Sequence, residues 1–69
     1  MTIGEKIKEL RHDKGWSQGQ LAYKLKIHKN HISLWETGRN EPSICKCILL
    51  ADVFGVTLDE LCCRGERDV

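Results

Sequence analysis

The 69-residue chain predicts an all-α fold, a compact single domain of five short helices, on three observations. Apolar residues recur at intervals of three and four, and no stretch alternates apolar with polar as a half-buried strand does. A Ser or Thr followed three residues later by Glu or Gln, the spacing of a capping box, occurs at Thr2, Ser17 and Thr57. Gly15, Gly38 and Gly55 fall where helices end in the left-handed conformation that glycine adopts cheaply.

The first helix starts at Thr2, whose hydroxyl caps the backbone while Glu5 reaches back, and it buries Ile3, Ile7 and Leu10 as one stripe before Gly15 stops it. The second starts at Ser17 with Gln20 as its reciprocal partner. Trp16 is placed to pack on Leu21, and Leu21, Ala22 and Leu25 face inward. A three-residue turn leads to a third helix from about Lys29 to Thr37. The loop from Gly38 to Ser43 follows, with Ser43 as the next cap. The fourth helix runs from about Ile44 to Phe54 and is expected to send Ile44, Cys47, Ile48, Ala51 and Phe54 into the core. Thr57 opens a short fifth helix that buries Leu58 and Leu61. The domain occupies residues 1–69 with its core from 3 to 61, and the polar run from Arg64 to Val69 is expected to fray.

Hydrophobic residues at 41% and charged residues at 30% are the balance of a globular domain, which excludes a disordered chain. The apolar run from Ile48 to Ala51 falls far short of the roughly 20 residues needed to span a bilayer, and no signal segment opens the chain. A cytoplasmic location is the expectation. Net charge is only +1, but it is unevenly spread: residues 1–39 hold eight Lys and Arg against four acids, and residues 40–69 hold three against six. A basic first part suits a surface that meets phosphates, while an acidic second part is repelled from them.

Cys45 and Cys47 project about 200° apart on a helix, Cys62 and Cys63 are adjacent, and no CxxC spacing exists. His12, His28 and His31 are scattered. No metal site, cofactor or disulfide framework is expected. Cys47 reads as a small core hydrophobe, and Cys62 and Cys63 are the thiols placed for any redox role. Nothing resembles a nucleophile elbow, a phosphate loop or a paired-carboxylate cleft, and His31 and Ser33 diverge on their helix. The chain is therefore read as a binding protein, with no catalytic residues.

Projecting the third helix at about 100° per residue separates two faces. Ile32 and Trp35 lie on one; Asn30, Ser33, Leu34 and Thr37 lie on the other, with Lys29 at its edge. An amide, a hydroxyl, an ammonium and an aliphatic group on one outward face have the means to read base edges and a thymine methyl. Two short amphipathic helices, a three-residue turn and the Gly38 stop make a helix-turn-helix, the motif that lays its second helix in the DNA major groove.

The residues Ile3 to Arg11 (Ile-Gly-Glu-Lys-Ile-Lys-Glu-Leu-Arg), Ser17 to Ala22 (Ser-Gln-Gly-Gln-Leu-Ala), Ile32 to Gly38 (Ile-Ser-Leu-Trp-Glu-Thr-Gly) and Glu41-Pro42-Ser43 resemble the DNA-binding domain of the Cro/C1 phage-repressor type, the Xre family. The likeness spans roughly Ile3 to Leu61. It implies a lambda-repressor-like five-helix domain, sequence-specific binding of double-stranded DNA, and a transcriptional regulator of bacterial or phage origin that represses from a pseudo-palindromic operator as a homodimer. By position it implies that Lys29, Asn30 and Leu34 read bases, with Ser33 on the same face. Ser17 and Gln18 at the start of the second helix, with Thr37 and Arg39, hold the sugar-phosphate backbone, Gln18 being also placed to touch the first base, and Arg11 pairs structurally with Glu36. A dimer is expected through the helix-five region and the loop before it. The alternative is a domain of the same shape used mainly for protein contact, as an antitoxin or adaptor component, with DNA secondary.

Four positions depart from the family pattern. Lys26 stands where the turn commonly has Gly, at a cost on the order of 1 kcal/mol if the backbone stays left-handed. His28 replaces the usual Ser or Thr cap of the third helix. Leu34 is apolar where hydrogen-bonding residues are common, and Leu49 projects from a position often polar, as would suit a partner surface.

Overall fold

The computed structural model describes residues 2–62, which form α1 (Ile3–Lys14), α2 (Gln18–Leu25), α3 (Lys29–Glu36), α4 (Ile44–Phe54) and α5 (Leu58–Cys62). No strand occurs among the described residues. The expected fraying after Cys63 lies outside them.

Side-chain caps set where helices begin. Thr2 Oγ1 accepts from Glu5 N at 3.2 Å while Thr2 N donates to Glu5 Oε1 at 3.0 Å. The same reciprocal pair joins Ser17 to Gln20 and Thr57 to Glu60. Each box satisfies two backbone donors that the first turn leaves without intrahelical partners. Ser43 caps α4 through Lys46 N.

Left-handed residues set where helices stop. Gly15 and Gly55 close α1 and α4 at φ 74° and 73°. Lys26 closes α2 at φ 60° and ψ 42°, keeping the conformation that a glycine would adopt without strain. Behind all three the next amide reaches back to the carbonyl five residues earlier: Trp16 to Arg11, Ile27 to Ala22, Val56 to Ala51.

The core gathers Ile7 from α1, Leu21, Ala22 and Leu25 from α2, Ile32 and Trp35 from α3, Cys47, Leu50, Ala51 and Phe54 from α4, and Leu61 from α5. Ile3, Leu10 and Leu58 pack partly buried against it. Two expected core residues do not: Ile44 is 67% and Ile48 49% exposed, whereas Leu50 is fully buried. The buried arc of α4 is centred on Cys47, Leu50, Ala51 and Phe54, so Ile44 and Ile48 fall beyond its edge. Only Lys46 and Asp52 interrupt the apolar residues of this helix, and its periodicity alone cannot select a face.

Helix α3 rests against α2 and α1. Its contact with α1 is backbone-close: a Cβ at Gly4 would run into the carbonyl oxygen of Trp35 and lie 3.1 Å from its carbonyl carbon. Glycine at this point lets α1 settle on the last turn of α3. No described helix is long and apolar enough to cross a membrane.

Candidate nucleic-acid interface

Helix α3 is fixed from behind. Ile32 and Trp35 are buried in the core, while Lys29 and Asn30 are exposed and Ser33 and Leu34 half-buried on the other face. Thr37 and Arg39 continue this outward surface beyond the C-terminus of α3. Lys29, Asn30, Ser33 and Leu34 therefore stand on one side of one helix, apart from the core.

The last residue of α3 is tied down by charge. Glu36 accepts from Arg11 Nε at 2.7 Å and Nη2 at 3.1 Å, a forked geometry, and from Gln18 Nε2 at 3.0 Å. Arg11 Nη1 also donates to the carbonyl of Trp16 at 2.8 Å. One guanidinium thus joins the end of α3 to α1 and to the turn before α2, with both side chains nearly inaccessible. The electrostatic consequence reaches the surface. Glu36 is the one acid between Ser17 and Arg39, and its charge is neutralised inside, whereas Lys24, Lys26, Lys29 and Arg39 remain exposed.

The N-terminus of α3 is capped by an imidazole. His28 Nδ1 accepts from Asn30 N at 3.2 Å, doing what a Ser or Thr oxygen would do. The N-terminus of α2 offers a second polar end: Ser17 is exposed, its oxygen occupied by Gln20 N and its hydroxyl proton left to donate outward. Gln18, expected to hold a phosphate, spends one amide N–H on Glu36 and keeps the other, with its carbonyl oxygen, for a ligand. Thr37 turns its hydroxyl back to Ser33 O at 2.9 Å, so a phosphate contact through that proton requires the O–H to swing away from the carbonyl about the Cβ–Oγ1 bond.

The sequence did not signal the Gln18 to Glu36 link, because the two residues are 18 apart and an amide carries no pairing rule. Nor did it signal that Trp16 stacks on Phe54 at 5.8 Å between ring centroids, with the Lys24 ammonium 4.7 Å from its ring. Among the described residues no group of three or more His, Cys, Asp or Glu is placed to hold a metal ion. Cys45 is exposed and Cys47 buried, the latter near the carbonyl of Pro42. Cys63 lies outside the described residues.

Two helices at a three-residue turn, the second backed by the core and facing outward with polar side chains, define a helix-turn-helix domain. The chain belongs to the Helix-turn-helix family of Cro/C1 type, whose model matches residues 7–61. The transcriptional activator BcrR of Enterococcus faecalis is 38% identical over 61 residues, covering 88% of this chain and 30% of that protein. The transcriptional regulator AnsR of Bacillus subtilis is 38% identical over 63 residues, covering 91% and 54%. The crystal structure of SinR, a master regulator for biofilm formation, in complex with DNA matches with a TM-score of 0.81 at 33% identity, covering 87% of this chain and 97% of that one. The chain thus spans from under a third to about half the length of these curated relatives.

Proposed function

We propose that this domain binds double-stranded DNA in a sequence-specific way and regulates transcription, acting as a repressor does by occupying an operator. The observation that carries this reading is the outward face of α3, polar and flanked by cations, with Glu36, the one acid between Ser17 and Arg39, locked behind it on Arg11. The likeness to a regulator solved on DNA supports it. In this reading Lys29, Asn30, Ser33 and Leu34 meet base edges. Ser17, Gln18, Thr37 and Arg39, with the first turn of α2, hold phosphates and set register. The chemistry is recognition without catalysis, and the setting is the cytoplasm, where such DNA lies.

Two copies on a pseudo-palindromic operator complete the proposal, with α3 helices about 34 Å apart in successive major grooves. Asn30→Ala is expected to lose roughly 1 to 3 kcal/mol and to relax preference at one base, whereas Arg39→Ala weakens all sequences alike. Operator selection from random duplexes, followed by titration of both variants, tests this. Equal binding of every duplex by Asn30→Ala and wild type would remove α3 as the reading element. Affinity should also fall with salt at a slope near −0.9 per phosphate neutralised. A domain working mainly through apolar protein contact would show little slope.

A further inference from the structure

We infer that His28 is itself a base-contacting residue: in the neutral form that its cap on α3 requires, the imidazole presents Nε2–H to the N7 atom of a purine in the major groove. This rests on the DNA-binding reading and adds to it a contact, a proton state and a sign of pH dependence.

The tautomer follows from one hydrogen bond. The amide of Asn30 can only donate, so Nδ1 of His28, 3.2 Å away, carries a lone pair and the single ring proton sits on Nε2. Nε2 meets no hydrogen-bond partner among the described residues, and His28 is exposed. The residue is also held in place. Ile27 before it packs against the core, and the carbonyl of His28 accepts from His31 N at 3.1 Å. A donor fixed in this way loses little side-chain freedom when it meets a ligand. The other two imidazoles are placed differently: Nε2 of His12 faces a guanidinium nitrogen of Arg11 at 3.3 Å, and the ring of His31 lies 6.3 Å from that of Trp35.

Position and proton state together select the acceptor. A recognition helix meets base edges with its N-terminal residues, and His28 immediately precedes Lys29 and Asn30. A phosphate oxygen would favour the imidazolium, which has no lone pair on Nδ1 and would turn an N–H against the amide of Asn30 and the positive end of the helix dipole. A base edge is an uncharged acceptor and leaves the cap whole. Among base acceptors, N7 is common to guanine and adenine, whereas thymine O4 lies beside a methyl group and cytosine offers an amino donor. The contact therefore distinguishes purine from pyrimidine at one position. The charges around the ring agree with an uncharged state. On the flanking helices the titratable side chains are Tyr23 and Lys24 of α2, Lys29, His31 and Glu36 of α3, with Lys26 in the turn between. Glu36 is engaged by Arg11 and Gln18, and α1 meets the last turn of α3, through Gly4 and Arg11.

The free protein tests the proton state: at a pH of about 8, above the ordinary imidazole range, the ring-nitrogen NMR signals of His28 should be those of the Nε2–H tautomer. The selected operator tests the contact. His28→Ser keeps an oxygen cap on α3 but is too short to reach a base, so its thermal melt should stay close to that of wild type. At the same pH it should bind about five- to tenfold more weakly, as the loss of one neutral hydrogen bond implies. Replacing each purine of a half-site in turn by its 7-deaza analogue should weaken wild type by a similar factor at one position, and His28→Ser at that position by less than about twofold. Lowering the pH to about 5.5, across the range in which imidazoles gain charge, should narrow the gap between wild type and His28→Ser, because the contact needs the uncharged ring; charge gained at His12 and His31 is common to both proteins. A phosphate contact has the opposite sign and would widen it. Equal binding by the two proteins at the higher pH, no purine at which the 7-deaza series separates them, an Nδ1–H tautomer, or a gap that widens as the pH falls would each overturn the inference with wild type still bound to its operator. Failure of wild type to prefer any duplex would instead count against the DNA-binding reading, and the inference would fall with it.

Discussion

Replacing Arg11 by Met tests how much the tie behind α3 contributes to stability. The Glu36 side chain is only 4% exposed and accepts three hydrogen bonds, two of them from Arg11. Arg11→Met leaves that carboxylate without a countercharge, held by the Gln18 amide alone, and takes a donor from the carbonyl of Trp16. Breaking a buried pair from one side costs about 3 to 5 kcal/mol. A domain of this length has about 3 to 10 kcal/mol in total. The variant should therefore be marginal, with a melting temperature lowered by well over 10 °C at about 4 to 8 °C per kcal/mol. Removing both charges, as in Arg11→Met with Glu36→Leu, should restore most of the loss, because no buried charge is stranded; the coupling between the two sites should reach about 2 to 3 kcal/mol. Urea denaturation followed by circular dichroism on the four proteins measures it. A cost for Arg11→Met below about 1 kcal/mol, or simple additivity in the double variant, would refute the reasoning.

Lys26→Gly should raise stability by about 0.5 to 1 kcal/mol, since relief of the left-handed strain at φ 60° outweighs the added freedom of the unfolded chain; a lower melting temperature would contradict this. Gly4→Ala should push α1 off the last turn of α3 and cost more than about 2 kcal/mol, read by thermal melting, with α3 amide resonances shifting alongside. His28→Ala should leave the global melt within about 1 kcal/mol and speed hydrogen exchange at the amide of Asn30, which loses its imidazole acceptor.

How much was legible in the sequence followed the reach of each signal. Capping boxes at Thr2, Ser17 and Thr57 act within four residues, so the helix starts they predict are where the structure has them. The alternation of Ile32 and Trp35 with Asn30, Ser33 and Leu34 orients α3 unambiguously. Helix α4 defeats the same method because almost every residue is apolar; which arc is buried depends on the neighbours, and Leu50 takes the place expected for Ile48. The meeting of Arg11 and Glu36 was reached only through family likeness, since nothing local joins residues 25 apart. The engagement of Gln18 with that pair was missed for the same reason.

The division of labour along α3 also bears on how such a domain changes over time. Ile32, Trp35 and Glu36 secure the helix from within, and Lys29 and Asn30 touch none of that anchorage with their side chains. Exchanging the outward pair is thus nearly free of folding penalty, so if these side chains read bases as proposed, a lineage can readdress the molecule to new genomic targets by point changes while its framework stays put. Divergence among copies should accumulate on that flank first, and a designer can use the same freedom to retarget it.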